Sequence, residues 1–338
     1  MWDILTGLGF PGGRVLEPGC GSGRFIAATP PPLRERVQWT GVEIDPTSAG
    51  IARILHPHAK IINKPLEKVV FKERAFTAAI GNVPFAEVQP FDPHLIHQEV
   101  GGKLSLHNYF LWRAVRNLHP GGVAILVTSR YTMDAENPAA RRFIARWAEF
   151  VGAIRLPTGG LGEATDVVAD IIVLRRRAAP YGPQDEIPDD GWLEATRREE
   201  LRTSLSTYWD THPHMVLGTL APKGGAYHGH TLEVTPGDRP LSEGLDGAVR
   251  ALVEEARREG RFWYGPDAPG GDGGEEDTVP AEKEGSFHLH PDGSVTQVID
   301  GQHVRVPKPG DELRHLILLR DAAVELFAAD ADLSKPDA

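Results

Sequence analysis

The chain has 338 residues, 36 Lys+Arg against 47 Asp+Glu, and a formal net charge of −11. That length supports a sizeable core, in one large domain or two ordinary ones. No apolar run reaches the roughly 18 residues of a membrane span, and the start Met1-Trp2-Asp3-Ile4 lacks the layout of a signal peptide, so a soluble protein without membrane partners is expected.

The one cysteine, Cys20, cannot form an internal disulfide and fits a reducing, cytoplasmic setting. Charge is unevenly placed. Residues 1–177 carry 21 Lys+Arg and 16 Asp+Glu, whereas residues 178–338 carry 15 and 31. The acidic average argues against a polyanion partner; the mildly basic first part does not.

The first part alternates short apolar runs with helical patterns, as in a parallel sheet covered by helices. The pattern predicts strands at 14–16, 39–44, 59–62, 77–80, 123–128, 152–156 and 168–175. Helices are expected at 23–28, 46–55, 106–118 and 138–150. His119-Pro120-Gly121-Gly122 ends one helix and launches the next strand. A break rich in Pro, Asp and Gly covers 178–191, and helical patterns return at 193–208 and 245–259. Residues 265–285 are acidic and crowded with glycine, and read as a linker. Polar and apolar residues then alternate over 286–307 around Pro291-Asp292-Gly293 and Asp300-Gly301, the pattern of a small β-meander. The last helix, 311–329, has a wide apolar stripe that includes Leu313, Leu316, Ile317, Leu319, Ala323, Leu326 and Phe327, and asks for a partner. The expected organisation is a doubly wound α/β domain over 1–177 and an extension over 178–264. The linker 265–285 and a meander-plus-helix piece over 286–338 complete an acidic α+β C-terminal region.

Three strand-end signals carry chemistry. The first is V-L-E-P-G-C-G-S-G, from Val15 to Gly23. Gly19, Gly21 and Gly23 follow a strand and precede a helix, where glycine allows a sharp turn and close approach to a ligand. Glu17 just before them suits a ligand's ammonium and would repel a pyrophosphate. Cys20 reads as a small residue fitting the turn. The second signal is Glu43, ending the next strand in G-V-E-I-D-P, where an acid can accept from both hydroxyls of a ribose. Asp45 competes for that role, but side chains alternate along a strand, and Asp45 suits the cap of a helix starting at Pro46.

The third signal is Asn82-Val83-Pro84-Phe85. An amino nitrogen conjugated to a purine is a poor nucleophile. The Asn82 side-chain oxygen and the Val83 carbonyl can grip its hydrogens and draw it toward tetrahedral geometry. Pro84 stiffens the turn and Phe85 offers a stacking face, worth roughly 1–3 kcal/mol per base. No metal is needed. The paired histidines at 56/58, 212/214 and 288/290 lack zinc-site spacing and read as surface residues. Ser22 and Ser129 have no triad partners. Arg175-Arg176-Arg177 reads as a solvated strand end rather than a phosphate contact.

On these residues, 14–177 resembles the catalytic domain of N-6 adenine DNA methyltransferases. More narrowly, the chain resembles the methylase region of large methylase–helicase proteins of mobile elements. Ser105-Leu106-His107-Asn108-Tyr109-Phe110, the segment from Pro120 to Arg130 and Gly152-Ala153-Ile154-Arg155-Leu156-Pro157 extend the likeness, as do His212 to Gly218 and Leu318 to Ala322. The resemblance implies a doubly wound, Rossmann-like fold with S-adenosylmethionine (S-adenosyl-L-methionine) as cofactor. Glu17, Gly19 and Gly21 would hold the methionine part, Glu43 the ribose, and Ile44 the adenine face. Pro18, Cys20, Gly23 and Leu66 complete the implied cofactor set. Asn82, Val83, Pro84 and Phe85 would bind the target adenine of DNA. The implied setting is modification or mobile-element defence, with a helicase domain or subunit as a possible partner.

Three departures qualify this. The common family motif is N-P-P-[YF], so Val83 replaces a proline and the turn should be less rigid. The family's acid after the third strand is absent from Asn63-Lys64-Pro65-Leu66. The aromatic-Thr segment that closes over the methionine tail is not found before the first strand, which points to a fragment, a split gene or a mis-assigned start. No G-x-x-x-x-G-K-[ST] motor motif occurs. The leading expectation is adenine-specific DNA methylation. The alternatives are a non-catalytic module docking DNA or a helicase, or a methyltransferase acting on RNA or a protein glutamine.

Overall fold

The computed structural model describes residues 1–263 and 286–333, apart from 73, 87, 93–94, 96–102, 162–166, 183, 225–229, 291 and 300–301. Two compact units are found, Met1–Gly270 and Gly271–Ala338. The expected linker at 265–285 lies outside the described residues.

The first unit is built on a seven-stranded sheet. Its strands are β1 (Gly13–Pro18), β2 (Val37–Glu43), β3 (Lys60–Asn63), β4 (Phe76–Asn82), β5 (Leu118–Ser129), β6 (Ala148–Arg155) and β7 (Ala169–Arg176). They lie in the order β3-β2-β1-β4-β5-β7-β6. The first five are parallel, and β7 runs antiparallel to both β5 and β6. The chain winds outward in opposite directions from the β1/β4 pair, so those two strands form the switch point where open α/β sheets bind ligands. This is the doubly wound, Rossmann-like arrangement that the resemblance implies, built on the helix-covered parallel sheet that the sequence pattern predicts.

The central strands are buried along their length, as parallel strands covered on both faces must be. Ile80, Ile125, Leu126, Ile172, Val173 and Leu174 have no exposure. The covering helices are α1 (Trp2–Gly7), α2 (Arg24–Ala27), α3 (Pro46–Leu55), α4 (Leu106–Arg116), α5 (Tyr131–Asp134) and α6 (Ala139–Trp147). Helix α3 begins where the sequence places it. Pro46 supplies a helical φ at the first turn, and Asp45 caps it by accepting from the Ser48 amide at 2.7 Å.

The extension corrects the sequence reading. Residues 193–208 are not helical: they form β8 (Ala195–Arg198), β9 (Thr203–Ser206) and the start of a single turn, α7 (Tyr208–Thr211). Arg202 takes a left-handed φ of 55°, which no helix interior tolerates. Ser204 and Ser206 find partners in Glu136 and Asp134, so tertiary hydrogen bonds override the local apolar spacing. A hairpin follows, β10 (Thr219–Gly224) with β11 (His230–Thr235), then α8 (Leu241–Arg258). The extension shares the first unit's core through Trp192, Leu205, Tyr208 and Leu252. It also clasps the N-terminal helix: Arg257 Nε donates to the Gly7 carbonyl and the Trp263 amide to the Leu8 carbonyl, both at 2.9 Å.

The second unit has the expected meander, β12 (Phe287–Leu289), β13 (Val295–Ile299) and β14 (Gln302–Arg305), with α9 (Asp311–Leu333). Val295, Val306 and Ile317 form its core, while Leu316, Leu318 and Leu319 are exposed. Of the predicted stripe, the side chains of Ala323, Leu326 and Phe327 lie outside the described residues. No helix among the described residues is long and apolar enough to cross a membrane.

Candidate active site

The carboxyl ends of β1, β2, β3 and β4 share one rim of the sheet, and the three sequence signals lie on it. After β1 the chain turns through Gly19, with φ of 81°. The Gly19 and Cys20 amides both donate to the Val42 carbonyl, at 2.8 and 2.9 Å, tying the loop to β2. A Cβ on Gly19 would stand 3.3 Å from Phe110 and 3.7 Å from Pro84. The glycine turn and the Asn82 tetrapeptide therefore meet, with α4 against both. Gly23, φ 85°, packs on buried His56, where a Cβ would come within 2.5 Å of the ring. Cys20 is buried. Desolvation, with Glu17 and Glu43 adding to it, pushes its thiol up to about 12, so it fills the turn as an unreactive group.

Glu17 is the unusual residue. It is 2% exposed, and its Oε2 has no hydrogen-bond partner among the described residues. Burial pushes its pKa up to about 9, opposed by a bond from the Phe25 amide and reinforced by the nearby Glu43 charge. A buried acceptor without a donor is costly. A ligand's ammonium arriving here would supply the missing donor and the missing charge.

Glu43 is half-buried and stitches the rim together. Its Oε2 accepts from the Gly21 amide at 2.7 Å and its Oε1 from the Asp45 amide at 2.8 Å. Each oxygen keeps a lone pair, enough for the two hydroxyls of a ribose. Asp45 is exposed and spent on its cap, as the strand alternation implies. Ile44, next in chain, is 67% exposed and leaves an apolar surface on the rim. Leu66 differs: its side chain is buried in the core, beneath a 3-10 turn at Leu66–Lys68. Asn63, noted in the sequence only as a missing acid, ends β3 and donates from one nitrogen to the Glu43 and Ile44 carbonyls, at 2.8 and 3.0 Å.

At the end of β4, Asn82 and Pro84 are exposed, Phe85 is half-buried, and Val83 is buried. The Val83 amide donates to the Val127 carbonyl at 3.0 Å, extending the β4–β5 ladder by one bond. Proline has no N–H and could not make that bond. The turn thus regains through a ladder bond the rigidity that the sequence reading took to be lost.

Farther along the rim, beyond β5, lies a cluster that sequence reading missed. Fully buried Arg155 holds Asp170 with Nε and Nη2, both at 2.8 Å, and reaches Asp134 at 2.9 Å. Asp134 also accepts from the Ser206 amide at 3.0 Å and from Trp209 Nε1 at 3.3 Å, and pairs with Arg130 at 3.3 Å. Arg155 lies over the Trp209 ring, 4.5 Å from its centroid. These residues come from four separate segments, so no local motif announced them.

Arg175, Arg176 and Arg177 correct the solvated-end reading. Arg175 and Arg177 both pair with Glu149, Arg177 also pairs with Asp190, and Arg176 lies over Trp147 at 4.7 Å. They secure the base of the sheet and are not offered to a phosphate. His56 too is buried rather than at the surface.

No family model matches the chain. The chain is 27% identical, over 199 residues, to the defense against restriction protein B of Escherichia phage P1, covering 58% of this chain and 9% of that protein. It is 28% identical, over 155 residues, to the type II methyltransferase M.TthHB8I of Thermus thermophilus, covering 40% of this chain and 34% of that enzyme. The chain thus spans well under half the length of either relative. Among solved structures, a putative class I S-adenosylmethionine-dependent methyltransferase of Listeria monocytogenes aligns at a TM-score of 0.44 and 16% identity, covering 55% of this chain and 59% of the other.

Proposed function

We propose that this chain binds S-adenosylmethionine at the β1–β2–β3 rim and transfers its methyl group to the N-6 amino group of adenine in DNA. The observation that carries the reading is the meeting of the glycine turn and the Asn82–Phe85 segment across the switch point, beside the unpartnered buried oxygen of Glu17. Similarity to a type II methyltransferase and to a phage protein of defense against restriction supports DNA as the substrate class.

When bound, the cofactor would supply an electrophilic methyl carbon. Glu17 would take the ammonium and Glu43 the ribose hydroxyls. The loop at Gly21, where a Cβ would meet no described residue within 4 Å, would leave space for the methionine part. Asn82 and the Val83 carbonyl would accept the two hydrogens of the target amine, localising its lone pair. Phe85 would hold the base plane. An adenine in a duplex must leave the stack to reach this position, at a cost of a few kcal/mol. Positioning and hydrogen bonding supply the catalysis, with no covalent intermediate on the protein.

The test is incubation of the protein with methyl-labelled S-adenosylmethionine and DNA, RNA or protein in parallel. Label on adenine N-6 in DNA is the expected result. Label confined to RNA or to a protein would redirect the substrate. Tight cofactor binding without any transfer would favour a docking module.

A further inference from the structure

The loop that follows Asn82 is fastened at both ends to adjacent residues of α4. At its start, Pro84 and Phe110 stand 3.7 and 3.3 Å from one point, the place of a Cβ on Gly19. At its end, buried Asp92 accepts at Oδ2 from the hydroxyl of fully buried Tyr109, at 2.6 Å. The Asp92 carbonyl also accepts from the Leu95 amide at 3.0 Å, and Pro90 is buried. Between these anchors Phe91 is turned out to solvent, 73% exposed, with Val88 56% exposed on the same loop. The buried neighbours on either side hold in water a ring that burial would otherwise stabilise. Among the described residues, the exposed large aromatic side chains are Phe91 and Tyr131, and they follow the adjacent strands β4 and β5. The Tyr131 ring already carries the Arg130 guanidinium, 4.4 Å from its centroid.

The segment after β3 adds charge. Arg113, one helical turn beyond Tyr109, donates from Nη2 to the Val69 carbonyl at 2.8 Å. That segment exposes Lys64, Lys68, Lys72 and Arg74. An apolar ring and a set of cations, fastened to successive turns of one helix, suit a nucleic-acid duplex: cations meet phosphates and the ring enters the base stack.

We propose that Phe91 is a wedge that enters the DNA duplex beside the target adenine and stacks in the space the adenine leaves as it swings out toward Asn82. The inference rests on the function proposed above and adds to it the group that replaces the lost stacking. The anchors at Pro84 and Asp92 fix the ring before contact, so little ordering remains to be done on binding.

The test first maps the adenine that the protein labels. A duplex oligonucleotide holding that site is then made with 2-aminopurine at the target, a base that brightens when it leaves the stack. Saturating unmutated protein should raise the fluorescence strongly. Phe91→Ala should give a smaller rise, and on the adenine duplex its kcat/KM should fall by about five- to 140-fold, the worth of stacking one base. Phe91→Tyr should restore both. Because the side chain is exposed, thermal stability and the calorimetric affinity for S-adenosylhomocysteine should match the parent in each variant. A full fluorescence rise in Phe91→Ala, a loss that Phe91→Tyr does not restore, or no rise with the unmutated protein would overturn the wedge and leave methyl transfer standing. No label on DNA from the unmutated protein would overturn the function reading and the wedge with it.

Discussion

The rim of the sheet has two halves that treat buried charge in opposite ways. On the β5–β7–β6 side, Asp134 and Asp170 are met by Arg155, Arg130 and two N–H donors, and Trp209 covers the cluster. On the β1–β4 side, Glu17 is almost as deeply buried, yet one of its oxygens finds no donor among the described residues; burial raises the proton affinity of both Glu17 and Asp170, so the missing donor is what differs. The closed half joins the extension to the sheet. The open half holds an unmet electrostatic demand beside exposed Asn82. Burial alone therefore does not separate a structural acid from a ligand-seeking one; the state of its hydrogen bonds does.

The largest expected effect falls on the closed half. Arg155→Ala leaves buried Asp170 without its ion pair and Asp134 with Arg130 as its remaining cation, and should cost about 3–5 kcal/mol of stability, read by urea denaturation. A loss below about 1 kcal/mol, the range of a solvated surface pair, would erase the contrast between the halves.

Next comes Asn82→Ala on the open half. Methyl transfer should fall by about 2.7–4 kcal/mol in the transition state, while thermal stability and cofactor affinity stay near those of the parent. Full activity in this variant would remove Asn82 from the substrate amine.

Glu17→Gln sharpens the comparison through pH. The folded pKa of about 9 stands above the ordinary 4.5, so the folded chain keeps a proton that the unfolded chain releases in between. This contribution to stability is whole below pH 4.5 and declines as pH rises toward 9. The variant lacks that decline and should gain on the parent between pH 5 and 9 in thermal melts. Its cofactor affinity should drop by about 1.5–3 kcal/mol, the worth of a hydrogen bond between charged groups. In the parent, cofactor binding near pH 7 should release a proton, seen as a buffer-dependent heat in calorimetry. No buffer dependence would mean that Glu17 stays protonated against the ligand.

The smallest effect belongs to the β4 turn. Val83→Pro restores the common family residue but removes the donor to the Val127 carbonyl. A net loss of about 0.5–1.5 kcal/mol is expected on denaturation. A gain in stability would show that proline's rigidity outweighs the ladder bond at this position.

Much of the fold was legible in the residues because its signals are local. The apolar runs at β4 and β7 fall near their observed bounds, the run 123–128 lies inside the longer β5, and Asp45 with Pro46 starts α3 as read. The motif residues Gly19, Glu43 and Asn82 were likewise recognisable from strand-end position. The segment 193–208 was not. Its apolar residues are spaced loosely enough to suit a helix, and what decides for strands is the reach of Ser204 to Glu136 and of the Ser206 amide to Asp134, each about 70 residues away. The arginines at 175–177 failed for the same reason, since Glu149, Asp190 and Trp147 neutralise or cover them from outside the run.

The sequence by itself determined the succession of the seven sheet strands, the glycine turn, the acid ending β2 and the amide ending β4. Each depends on backbone geometry and periodicity within a few residues. Only the tertiary structure decided which charges are satisfied. It joined Arg155 to Asp134 and Asp170, left Glu17 Oε2 without a donor among the described residues, and turned the Asn63 nitrogen to the Glu43 and Ile44 carbonyls. Electrostatic balance depends on desolvation and on partners brought from distant segments, and neither is written into local order.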